Sequence, residues 1–140
     1  MSHDISWAEL ARQARQAAEQ AYAPYSKFPV GVAVLASSGR IYTGCNVENA
    51  SYGGTTCAER NAIAAAVVAG ERQFLALMVY TPQTQLTPPC GICRQVIAEF
   101  YAPDSPVRSC NHLEQQQEWR LDELLPSAFT PTYLANSSKI

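Results

Sequence analysis

The sequence has no stretch approaching the roughly 18 apolar residues that a membrane-spanning helix needs. Its N-terminus, MSHDISWAELARQ, has no apolar segment of the kind an export signal carries, so the expected compartment is the cytoplasm. No run of Lys or Arg stands out, and ten basic against twelve acidic side chains leave a formal net charge of -2. The basic footprint of a dedicated nucleic-acid binder is missing; a small-molecule partner is expected, with neither nucleic acid nor membrane. Histidine is scarce: His3 and His112 have no ligand-like spacing and read as surface residues. No internal repeat or linker divides the 140 residues, which are read as one domain spanning 1–140.

What is present is an ordinary globular balance, 47% hydrophobic and 16% charged, on a chain long enough to bury a core without disulfide staples. Five cysteines is an odd number, and two of them form a C-x-x-C. Without an export signal, that pattern favours metal or redox chemistry over a disulfide framework.

Ser6 and Glu9 have capping-box spacing, and Trp7, Leu10, Ala11, Ala14, Ala18 and Ala21 recur at helical intervals, so the chain opens on an amphipathic helix. Two prolines in APYSKFP end it. VGVAVLASSGRIYTGCNVEN reads as a β-hairpin about a Ser-Gly turn. A helix begins near Cys57 and closes at Gly70, FLALMVYT is a buried strand, and CGICRQVIAEFY is a second helix running from Cys90 to about Tyr101. PVRSC reads as a short strand and RLDELLPSAF as a short helix stopped by Pro126, while LEQQQEW fits no pattern well. Strands alternating with helices predict an α/β layer structure, one sheet with helices on both faces.

Cys57, Cys90 and Cys93 carry the sharpest chemistry. In a C-x-x-C that opens a helix, the two sulfurs lie at i and i+3 on one side of the first turn and can share an ion. Thiolates suit Zn2+, and three of them leave a fourth position for water, as in catalytic sites. Cys57 and Cys90 each open a helix, where the unpaired N–H groups and the dipole favour a negative ligand. Three thiolates around Zn2+ leave a net charge of about -1; Arg60, three residues after Cys57, is spaced to donate to the sulfurs and offset it. Glu59 is the candidate proton carrier. Two other readings of the cysteines stay open: a thioredoxin-like redox pair, and a closed four-cysteine site completed by Cys45 or Cys110.

TTCAERNAI followed by PPCGICRQV resembles the signature of the zinc-dependent cytidine deaminases of the short homotetrameric type. The likeness runs from YSKFPVG through GCNVENASYGG to ELLPSAF, about residues 22 to 129. It implies a three-layer α/β/α fold with a central mixed sheet, and one Zn2+ per subunit held by Cys57, Cys90 and Cys93. Glu59 would carry protons between water, the pyrimidine N3 and the departing ammonia, with Arg60 donating to the thiolates. Asn46 and Glu48 match the pair that holds the ribose hydroxyls, the Ala58 N–H binds the base carbonyl, and Phe28 lines the nucleoside pocket. Phe129 and Tyr52 match residues that reach across a subunit interface of a homotetramer with shared active sites. The implied reaction is hydrolytic deamination of cytidine, and of 2'-deoxycytidine, in pyrimidine salvage. Alternatives on the same motifs are a deaminase of a modified cytosine nucleoside or of a nucleoside antibiotic of the blasticidin type, and a non-catalytic zinc-stapled interaction domain.

Some segments depart from the family pattern. Val32 stands where a small alanine is common, and is expected to add bulk near the strand that borders the pocket and to narrow substrate preference. RSCNHLEQQQEWR lacks the usual strand, short turn and strand, and the tail TPTYLANSSKI carries no clear pattern. Cys45 and Cys110 read as structural thiols.

Overall fold

The computed structural model describes residues 4–137. Helix α1 (Trp7–Ala18) starts where the Ser6 hydroxyl accepts the Glu9 N–H at 3.4 Å, and it buries Leu10, Ala14 and Ala18 at four-residue steps. Strands β1 (Gly31–Ala36) and β2 (Ile41–Cys45) form the expected hairpin, with Gly39 at φ +93° in its turn. Helix α2 (Ala58–Val68) follows a single 3-10 turn at Tyr52–Gly54 and stops at Gly70, whose φ of +104° is the left-handed conformation that ends helices and that glycine adopts without cost. Strand β3 (Phe74–Thr81), helix α3 (Gly91–Phe100) and strand β4 (Pro106–Asn111) fall where the apolar runs place them.

The remainder corrects the sequence reading. Residues 116–120, part of a segment that lacks an apolar alternation, form strand β5 (Gln116–Arg120), antiparallel to β4. β5 is an edge strand whose Gln116, Gln117 and Glu118 are exposed, so it has only one covered face and little burial to encode. Asn111 and the positive φ of Glu114 (61°) shape the turn before it, the Asn111 Oδ1 accepting the N–H groups of Leu113 and Gln115 at 3.1 Å each. Helix α4 (Leu121–Leu124) is shorter than the reading of RLDELLPSAF, and the tail contains helix α5 (Pro131–Ser137). His112 is exposed, and His3 lies outside the described residues.

The sheet order is β2-β1-β3-β4-β5, mixed, with β3 and β4 parallel. Period-two alternation sends Ala33, Ala76, Met78, Tyr80 and Cys110 to α1 on one face. Val32, Val34, Leu77, Val79 and Val107 pack with Ala58, Ala62, Ile63, Ala66 and Ile97 on the other. The result is three layers, α/β/α. Fully burying a side chain such as Leu10 or Ile97 contributes about 1.5–3 kcal/mol each. No helix among the described residues is long and apolar enough to cross a membrane.

The topology also places the chemistry. β2 and β3 are each antiparallel to β1 and therefore parallel to one another. The chain leaves the carboxyl end of β2 into α2 and that of β3 into α3, and both helices lie on the same face. Their N-termini therefore open at one edge of the sheet, where ligand sites of open α/β sheets form.

Candidate active site

Cys57 is the N-cap of α2 and Cys90 the N-cap of α3, both in extended backbone conformations that turn their side chains out of the helix. Their sulfurs lie 3.9 Å apart, and the sulfurs of Cys57, Cys90 and Cys93 are all within 4.8 Å of one another. Cys90 is exposed, Cys57 half-buried and Cys93 buried. Three convergent soft donors at two helix N-termini fit a zinc ion and place Cys57, Cys90 and Cys93 to hold it. Among the described residues no fourth His, Cys, Asp or Glu joins this group, so neither Cys45 nor Cys110 closes it. Cys110 packs with α1 on the opposite face of the sheet, and burial raises its thiol to about 11. All five cysteines are free, so the C-x-x-C is not a disulfide in this structure.

Arg60 reaches back along α2, its Nη2 donating to the Cys57 sulfur at 3.4 Å. The neighbouring Cys93 thiol and this guanidinium hold Cys57 down to about 5, while the bond to Cys57 and burial push the Cys93 thiol up. Glu59, in the first turn of the same helix, is 5% exposed, and desolvation raises its carboxyl to about 7.

A cavity of about 450 Å3 opens at this helix start. Phe28, Asn46, Glu48, Cys57, Ala58, Glu59 and Cys90 all line it, which brings together most of the residues singled out in the sequence. Val30, Val79 and Thr87 also contribute; they sit among ordinary core and loop residues, with no chemical signal to mark them beforehand. Val32 is fully buried in the core on this side; it is not part of the lining itself but pairs across the sheet with Val79, which is.

Asn46 and Glu48 are not simply open to a ligand. The Asn46 Nδ2 donates to the Phe28 carbonyl and its Oδ1 accepts the Val30 N–H, both at 2.9 Å, so the amide ties the 28–30 segment to the end of β2. Glu48 accepts the N–H groups of Tyr25 and Ser26 at 3.0 and 3.1 Å and the Ser26 hydroxyl. These bonds hold its carboxyl below its ordinary value of 4.5, the Ser26 hydroxyl foremost. Tyr52 is 77% exposed, edge-on to Tyr25 with ring centroids 6.0 Å apart, in a hollow that shares Ser26, Glu48 and Thr55 with the main cavity. Phe129 is 58% exposed, stacked on Tyr133 at 5.7 Å, and does not line the cavity of its own chain.

Residues 5–108 match the family described as the cytidine and deoxycytidylate deaminase zinc-binding region. The chain is 47% identical over 131 residues to a cytidine deaminase of Sporosarcina psychrophila, covering 94% of this chain and 96% of that one. It is 44% identical to the cytidine deaminase of Mycobacterium tuberculosis over 130 residues, covering 90% and 91%. Among solved structures, the cytidine deaminase from Burkholderia pseudomallei superposes with a TM-score of 0.85 at 42% identity, covering 89% of this chain and all of that one. With its paired helix N-termini, its three sulfurs and its matched sequence, this chain belongs to the cytidine and deoxycytidylate deaminase family.

Proposed function

We propose that the protein is a cytidine deaminase, converting cytidine and 2'-deoxycytidine with water to the uracil nucleoside and ammonia. The observation that carries the reading is the cluster of three cysteine sulfurs, of which Cys57 and Cys90 line one cavity together with the buried Glu59. A zinc ion held by Cys57, Cys90 and Cys93 supplies a Lewis acid that makes a water acidic enough to attack near neutral pH.

The chain's own residues do the rest. Glu59, kept near neutrality by burial, moves one proton of the attacking water to N3 and the other to the departing nitrogen. The C4–N4 bond breaks, the water oxygen stays on C4, and ammonia leaves. Arg60 offsets the negative charge of the thiolates. The Ala58 N–H, in the first turn of α2 where backbone donors lack helical partners, orients the base carbonyl. Asn46 and Glu48 take the ribose hydroxyls with their remaining hydrogen-bonding capacity, and Phe28 walls the base.

In this reading the active unit is a homotetramer in which a neighbouring subunit supplies Phe129 and Tyr52; their exposure in the single chain supports it. Mixing inactive Glu59→Gln with Phe129→Ala, then dissociating and reassociating the subunits, tests both points. The mixture regains cytidine deamination if Phe129 acts across the interface, and stays no more active than its parents if each site uses its own. Comparing cytidine with free cytosine tests the nucleoside class: equal kcat/KM for the two contradicts a ribose-binding role for Asn46 and Glu48.

A further inference from the structure

Arg94 directly follows the ligand Cys93, and its guanidinium forks between two backbone carbonyls. Its Nε donates to Pro89 at 2.7 Å and its Nη1 to Leu124 at 3.0 Å. Pro89 is buried and immediately precedes Cys90; Leu124 ends α4. The next residue of α3, Gln95, donates from Nε2 to the Phe129 carbonyl at 2.9 Å. Two adjacent side chains thus clasp both ends of the 124–129 segment. Between the clasps lie Pro126 and Ser127, the latter at φ +55°, a left-handed backbone conformation.

We infer that Arg94, assisted by Gln95, is a positioning residue that registers the segment carrying Phe129 against the loop carrying Cys90. Both Arg94 bonds end on carbonyl oxygens, so its service here is geometric: a planar fork spans two acceptors that a lysine's single nitrogen cannot hold in the same way. The consequence for catalysis rests on the reading that Phe129 packs on the base in a neighbouring site. The metal loop of one subunit would then be tied, through one guanidinium, to the substrate wall of the next.

The test compares wild type, Arg94→Lys and Gln95→Ala as zinc-loaded protein in two measurements. One is the rate of chymotryptic cleavage after Phe129, with the cut identified by mass; the other is kcat and KM for cytidine, beside zinc content and melting temperature. The expected result is faster cleavage after Phe129 and a KM raised roughly three- to tenfold in Arg94→Lys, with kcat and zinc content little changed. Gln95→Ala should move in the same direction by less. Wild-type cleavage rates in both variants overturn the clasp, and faster cleavage with unchanged KM overturns its link to substrate binding. If Arg94→Lys does not fold, Gln95→Ala alone decides by the same criteria. A wild-type protein inactive on cytidine contradicts the proposed function instead, and the cleavage rates, which need no substrate, still decide the clasp.

Discussion

The Arg60 guanidinium sits 3.4 Å from the Cys57 sulfur, a distance fixed by their three-residue spacing at the start of α2. Its Nε is buried with no hydrogen-bond partner among the described residues. Three thiolates would overcompensate a divalent ion, and in the proposed reading the guanidinium beside them restores the balance that an electron-withdrawing metal centre needs.

Replacing Arg60 should therefore act on the metal centre rather than on the fold. Arg60→Gln is expected to lower zinc affinity or activity by about 10- to 100-fold, with Arg60→Lys recovering part of the loss. Competition with a chelator, read beside turnover, checks this; wild-type values of both in Arg60→Gln would contradict it.

The cysteines should separate cleanly. Cys90→Ala is expected to abolish stoichiometric zinc, because two sulfurs leave the ion under-coordinated. Cys110→Ala should retain it and only lose stability, since that thiol is buried across the sheet. Zinc analysis of the purified variants decides, and metal loss from Cys110→Ala would refute the assignment of ligands.

Gly44 sets how closely α2 approaches β2. A Cβ there would lie 2.4 Å from the Ala62 nitrogen and 2.6 Å from the Ala58 carbonyl oxygen, both backbone atoms that cannot swing aside. Gly44→Ala should cost about 1–3 kcal/mol and displace the first turn of α2, which carries Ala58 and Glu59. Calorimetry and turnover on the same sample would show both effects; native stability would rule out this packing.

Glu48 gives a pH prediction. Its folded pKa lies below the ordinary 4.5, so its contribution is fully present above the unfolded value and disappears as the pH falls through the folded one. The Tyr25 and Ser26 amide resonances should therefore titrate with a midpoint below 4.5 and lose that titration in Glu48→Gln. A midpoint at or above 4.5 would show that the bonds to Ser26 and Tyr25 do not favour the carboxylate.

The sequence was informative where burial or chemistry repeats a pattern. Leu10, Ala14 and Ala18 announce α1, FLALMVYT announces a strand buried on both faces, and the cysteine spacing announces the metal cluster. It was silent where neither operates. β5 is polar and exposed, held by ladder bonds to β4 that any residues can make. Val32 stands beside the lining residue Val79 yet is itself covered by the core, because whether a strand residue meets a ligand or the core depends on where the covering helix begins. The self-tethering of Asn46 engages backbone groups 16 and 18 residues away, and the fork of Arg94 engages carbonyls 5 and 30 residues away. No side-chain type marks those backbone partners.

The role of Glu59 as proton carrier beside a three-cysteine zinc site is tested by zinc content and cytidine-to-uridine conversion of wild type and Glu59→Gln, the conversion followed by ultraviolet absorbance. Equal zinc in both proteins, conversion by wild type, and a rate at least about 100-fold lower in the variant are expected. A zinc-loaded Glu59→Gln that deaminates cytidine at close to the wild-type rate would contradict that role.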